Sequence, residues 1–262
     1  MSMDKISQSL KEINLHVHPG DQIIDRILHT LSTFELSIPQ RHMCDIWLSS
    51  MLHEIYKEDL SCQRERVMKK YGFDSVNKQS LFTLPRNLYS DFVLYCFTVV
   101  LAMHIPNAKI IFNSSNKGWE SVALTTMDAL FKLLHVEFSV NDECDIVDTY
   151  YGGNKSRIYF HSITIRSLRG YPTIIIYDNL DIFQPVILNN HVIPLYQLDY
   201  TMIGIASESL AEYIENSGTI SFKFERVKLT GHYEKHFHGI EHTRGLTQRE
   251  CREETNKRHA NL

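Results

Sequence analysis

Apolar residues recur at helical spacing through the first part of the chain. In "DQIIDRILHTLSTF", Ile23, Ile24, Ile27, Leu28 and Leu31 fall on one face, with Asp21 placed as the N-cap. "CDIWLSSMLHEIY" repeats the pattern with Ile46, Trp47, Met51, Leu52 and Ile55. Residues 1–78 are therefore expected to be a helical lead-in. From residue 79 short apolar runs alternate with amphipathic stretches. "SLFTL" (80–84), stopped by Pro85, predicts a strand, and Ser90 with Asp91 can cap a helix through Met103. "AKIIFNS" (108–114) predicts a second strand and 117–134 an amphipathic helix. "YYGGNKS" (150–156) has turn composition and leads into "RIYFHSI" (157–163). "TIIIY" (173–177) and "TMIGIAS" (201–207) are continuously apolar, as strands buried on both faces should be. "PVILNNHVIPL" between them reads as helical until Pro194, and "TISFKFERV" (219–227) alternates as a last strand would.

Strands alternating with helices predict an α/β fold: a mostly parallel sheet with helices on both faces. The helical lead-in of 1–78 is expected as an appendage to a core spanning 79–227. The remaining segment, 228–262, is rich in histidine and polar residues and is expected to be a mobile tail.

Composition narrows the function classes. The 262 residues are 43% hydrophobic, with thirteen Tyr and thirteen Phe to fill a sizeable core. A net charge of −4 gives no broad basic field, so DNA contact is not indicated by charge. Five scattered cysteines without a CxxC pair fit a reducing compartment. The start of the chain lacks the basic-then-apolar order of a signal peptide, and the longest greasy run, Phe92 to Met103, is too short to span a bilayer. A soluble intracellular protein without membrane partners is the expectation.

Chemistry is sought where strands run into helices, because phosphates bind there in α/β sheets. "LFTLPRNLYSDFVLYC" offers strand, turn and helix. A phosphate cradle also needs Gly for close approach, Lys for the phosphates and Ser or Thr for magnesium. This turn supplies Tyr89, Ser90 and Asp91 instead. In "GYPTIIIYDNLDIF" an apolar run ends at Asp178, followed by Asn179 where many ATPases have Glu. On these residues alone a capped core helix and a strand ending in a turn account for both segments.

The order of segments changes that weighting. "LPRNLYSDF", then "GGNKSRIYFHS", "SLRG" (167–170), "TIIIYDN" and "IGIASES" follow one another over Gln79 to Ser209. The series resembles the ATPase domain of the viral DNA-packaging terminase large subunit, of herpesvirus and tailed-phage type. That family reads as a strand into "PR–x–x–GKT", a polar turn and strand, "S–x–RG", a hydrophobic run ending in "DEA", and a coupling motif of small hydroxyl residues. The resemblance implies a P-loop-NTPase-like sheet. It puts Tyr89 at the cradle Gly, Ser90 at its Lys, Asp91 at the magnesium hydroxyl and Asn179 at the general-base Glu. Asp178 keeps the Walker B position, and Ala206, Ser207, Glu208 and Ser209 stand at the coupling motif. Four departures thus fall on four catalytic roles, while the strands around them are kept.

The resemblance therefore implies a pseudo-ATPase with no catalytic residues and no cofactor, serving genome packaging or virion assembly. Its expected partners are viral packaging or capsid proteins, a catalytically competent terminase subunit among them, in a host nucleus or viral factory. An active packaging ATPase is the rival. It would bind Mg-ATP through Gln79, Arg86 and Asp178, with Lys78 or Arg86 replacing the cradle Lys. A third reading is an unrelated virus-encoded interaction protein. Sheet order is expected to separate it from the others, a terminase-like core setting the strand of 173–177 beside that of 80–84. Arg166 and Arg169 are candidate anion or partner contacts. "GHYEKHFHGIEH" carries His232, His236, His238 and His242, but Gly231 and Gly239 interrupt any common helix face. A solvated loop without stoichiometric zinc is expected.

Overall fold

A computed structural model describes residues 17–83, 90–114, 117–143, 145–162, 173–178, 199–206 and 225–228. The helices are α1 (Pro19–Ser32), α2 (Ile38–Tyr56), α3 (Leu60–Tyr71), α4 (Ser90–His104) and α5 (Lys117–Leu133). The strands are β1 (Gln79–Thr83), β2 (Lys109–Ser114), β3 (Glu137–Val140), β4 (Ile146–Tyr151), β5 (Asn154–Ser162), β6 (Ile174–Tyr177), β7 (Thr201–Ala206) and β8 (Glu225–Lys228).

Among the described residues, eight strands join one sheet in the order β3-β4-β5-β2-β6-β7-β1-β8. The pairs from β5 through β8 are parallel, and the β3-β4-β5 end is an antiparallel meander. The expected mostly parallel α/β sheet is therefore present. The meander was not expected from the sequence beyond its turn. Gly152 and Gly153, with φ of 56° and 84°, make that turn, and "IVDTYY" and "NKSRIYFHS" pair across it. Strand β6 does not lie beside β1, as a terminase-like core was expected to require. Strand β7 separates them, pairing Ile176 with Ile203 on one side and Ile203 with Ser80 on the other.

One face of the sheet presents Phe82, Phe112, Phe160, Ile110, Ile158, Ile174, Ile176, Ile203 and Ile205 to the helices. Helix α4, apolar nearly all round, lies in the middle of this layer, as a helix buried on every side must. The lead-in is not an appendage. Trp47 of α2, wholly buried, meets the Phe82 ring at 5.8 Å and the Phe97 ring of α4 at 5.6 Å. Ser50 of α2 also exchanges a 2.7 Å hydrogen bond with Ser80 of β1. On the opposite face Ile111, Ile175, Tyr177 and Met202 are buried too, which accounts for the unbroken apolar runs of β6 and β7.

Asp21 does not cap α1. His18 does, its Nδ1 accepting from the Gly20 N–H at 3.0 Å. Asp21 sits in the first turn with its side chain 5% exposed, and both its oxygens take the Arg66 guanidinium at 2.7 and 2.8 Å. Tyr56 also donates to it, and Lys70 reaches it at 3.2 Å. One carboxylate thus ties α1 to α2 and α3.

Candidate functional site

The carboxyl ends of β1, β6 and β7 define the edge where the sequence put its candidate chemistry. Helix α4 begins just past the end of β1 and carries Asp91 in its first turn. Asp178 follows the last residue of β6. Its backbone N–H donates to the Asn113 carbonyl at 2.9 Å, and the Asn113 amide donates to the Ile176 carbonyl at 3.2 Å. These bonds continue the β2-β6 pairing past the strand end and fix the direction of the Asp178 side chain.

That side chain turns into the helical layer. Asp178 is 4% exposed and its Oδ2 accepts from the Tyr95 hydroxyl at 3.0 Å. Tyr95 lies one helical turn past Asp91 on α4, so the two share a face. The Tyr95 ring rests on Phe112 at 5.7 Å and is 3% exposed. Burial, with the Asp91 charge added to it, pushes the Asp178 carboxyl up to about 7, and the Tyr95 bond opposes this only in part. Burial and the same two acids push the Tyr95 phenol far up, so it remains a donor.

Asp91 and Asp178 occupy one neighbourhood, the Asp91 charge acting on the Asp178 carboxyl. Ala206 stands at the end of β7, opposite Thr83 of β1, on the same edge. Gln79 and Lys78 are not brought there. Both lie at the amino end of β1, the far edge of the sheet. The Gln79 amide donates to the Tyr200 carbonyl at 3.3 Å, and Lys78 pairs with Asp199 at 3.0 Å. Lys78 therefore cannot serve as a cradle lysine beside Asp178. The other candidates, Arg86, Tyr89, Arg166, Arg169, Asn179, Ser207, Glu208, Ser209, His232, His236, His238 and His242, lie outside the described residues. Ser90 opens α4, and its side chain is likewise outside them. Tyr95 was missed by sequence reasoning. Its position one turn past a helix-opening acid was the available signal.

The fit of a magnesium nucleotide, which the resemblance implies, can be tested on these groups. Magnesium keeps several waters and demands octahedral room around its carboxylate ligand. Asp178 is buried, with one oxygen engaged by a phenol. Among the described residues the charge acting on it is another carboxylate, where a γ-phosphate would need a cation. Among the described residues, Asp91, Tyr95 and Asp178 do not fit the group.

No protein-family model matches the chain, and no curated protein does. Three solved structures give the measure of its likeness. The large terminase ATPase domain of Thermus phage P74-26 is 13% identical, with a TM-score of 0.46 over 69% of this chain and 88% of that one. The HK97 bacteriophage large terminase is 10% identical, with a TM-score of 0.47 over 76% of this chain and 47% of that one. The large terminase of a thermophilic bacteriophage, solved in complex with ATP-gamma-S, is 8% identical, with a TM-score of 0.48 over 75% of this chain and 48% of that one. The chain thus spans about half the length of the last two, 47% and 48%.

Proposed function

We propose that this protein is a pseudo-ATPase of terminase type, a structural or regulatory component of viral genome packaging or virion assembly. The observation that carries the reading is the pairing of Asp91 with a buried Asp178 at the edge where an ATPase would set its cradle against its metal-binding acid. Two neighbouring acids repel phosphate and cannot stabilise the charge of phosphoryl transfer. Asn179, next in the sequence, supplies an amide where a base is needed, and an amide cannot take the proton of an attacking water. The ordered run of terminase-like segments from Gln79 to Ser209 supports the packaging context, whereas β7 lying between β6 and β1, where adjacency was expected, counts for the rival reading of an unrelated interaction protein. The partners are viral packaging or capsid proteins, with a competent terminase subunit among them, in a host nucleus or viral factory.

Purified protein should show no magnesium-dependent ATP hydrolysis above background. Asn179→Glu alone should not restore it, because a base without a phosphate site has nothing to act on. A clear magnesium-dependent rate in the wild type, abolished by Asp178→Asn, overturns the reading in favour of an active ATPase.

A further inference from the structure

We propose that Tyr95 stands in for a divalent cation on Asp178: its hydroxyl closes the strand-end carboxyl from inside the fold, so that the domain holds one conformation with or without metal and nucleotide. This rests on the pseudo-ATPase reading and deepens it, since losing a cradle does not by itself say what holds the remaining acid.

The argument is geometric. A carboxyl group at a strand end that serves a metal needs room beside it for the ion's waters. Asp178, 4% exposed, is closed in. Its backbone is pinned by the Asn113 carbonyl and its Oδ2 by the Tyr95 hydroxyl, at 2.9 and 3.0 Å. A buried carboxyl without a partner would cost several kcal/mol in general. In a metal-dependent domain the ion removes that cost only while it is bound. Here a phenol offsets part of it at all times.

The placement of Tyr95 makes the substitution mechanical as well as chemical. Asp91 and Tyr95, four residues apart, share one face of α4, and the Tyr95 hydroxyl reaches the residue that follows β6. Tyr95 also packs on Phe112, whose ring packs on Phe160 at 5.6 Å. The hydroxyl is therefore carried on a ring that the sheet itself immobilises. An ion on the Asp178 Oδ2 would have to displace this ring from among wholly buried neighbours. Where metal binding would otherwise couple α4 to β6 reversibly, the Tyr95 bond couples them constitutively.

The test uses the full chain and Mn²⁺, with free Mn²⁺ followed by electron paramagnetic resonance. Wild type should show no Asp178-dependent binding tighter than about 1 mM. Tyr95→Ser removes the ring, leaves a short hydroxyl and opens space for the ion's waters. It should gain at least about tenfold in Mn²⁺ affinity, and Asp178→Asn in the same background should abolish the gain. A folded Tyr95→Ser protein with no such gain overturns the proposal. A second measurement stands independently of whether that variant folds. Wild-type thermal unfolding should be unmoved by Mn²⁺, with or without ATP, and a stabilisation that disappears in Asp178→Asn also overturns it. Mn²⁺ binding at Asp178 without ATP turnover would sink this proposal alone, whereas turnover lost in Asp178→Asn would sink the pseudo-ATPase reading with it.

Discussion

Gly204 of β7 lies so close to Tyr177 of β6 that a Cβ placed on it would meet the Tyr177 carbonyl oxygen at 2.5 Å and the Tyr177 Cβ at 2.9 Å. The obstacle is backbone, and it immediately precedes Asp178. A methyl group there must push β6 and β7 apart. Gly204→Ala should therefore destabilise the fold by about 1–3 kcal/mol, read as a lower urea midpoint at unchanged slope. It should also weaken the Tyr95–Asp178 bond, because the strand end that aims Asp178 is displaced. A midpoint equal to wild type would show that the strands separate freely at this point.

The raised Asp178 carboxyl makes a pH prediction with a definite sign. In the unfolded chain it loses its proton near 3.8, whereas in the fold it keeps it until about 7. Between those values the folded state binds more protons, so this contribution to stability falls as pH rises and is gone above about 7. Asp178→Asn preserves shape and an acceptor for Tyr95 without the ionisation. It should match wild type near pH 4 and exceed it by about 2–4 kcal/mol at pH 8. An Asn variant less stable than wild type at pH 8 would mean that the carboxylate is favoured in place.

His104 acts in the opposite direction. At the end of α4 it is 6% exposed, meets the Thr30 hydroxyl at 2.8 Å and packs edge-on against Tyr151 at 5.5 Å. Burial, helped by the charges of Arg26 and His29, lowers it from 6.5 to about 4. The unfolded chain takes up this proton first as pH falls, so stability drops from about pH 6.5 down to about 4. The loss attributable to this group should be about 2–3 kcal/mol. In His104→Gln the difference in stability between pH 7 and pH 4.5 should be smaller than in wild type, and an unchanged difference would exclude His104 as its source.

The Asp21 carboxylate is held well below its ordinary range, first by the Arg66 guanidinium and also by Tyr56 and Lys70. Its contribution is present above the ordinary carboxylate pKa and is lost as pH falls below it. Arg66 is 43% exposed and can rehydrate, so Asp21→Asn should cost about 1–3 kcal/mol rather than the larger value for a fully buried pair. Double-mutant cycles with Arg66→Gln should return most of that as coupling, and additive single effects would show that the pair is not the source.

The parts of the fold legible in the sequence are those where burial dictates an unbroken pattern. "AKIIFNS", "TIIIY" and "TMIGIAS" correspond to β2, β6 and β7 because both faces of those strands are buried. The meander was not legible for the converse reason. "EFSV" at the sheet edge and "IVDTYY" beside it carry acids and half-exposed aromatics, so neither forms an apolar run, and only the Gly152–Gly153 turn stood out. Asp21 looked like a cap because an acid ahead of a helical stripe usually is one. Arg66 and Lys70, over forty residues away, claimed it instead. At the site, Asp91 opens α4 and Asp178 follows β6, a strand that was expected directly beside β1. The sequence could not give Tyr95 its role, since an aromatic residue in an apolar helix looks like packing until the residue across from it is known.

The position of β1 has a consequence for how the chain is made. Both its sheet neighbours, β7 and β8, come from the last third of the sequence. From Thr83 to Thr201 the ribosome adds 118 residues (201 − 83), or about 6–24 s of synthesis, before either neighbour exists. Throughout that interval the nascent β1 has two open hydrogen-bonding edges and an apolar Phe82. Trp47 and Ser50 of α2 are already available to shield it on one face. The helical lead-in, synthesised before β1, is thus suited to act as an internal chaperone for that strand while its partners are still to come.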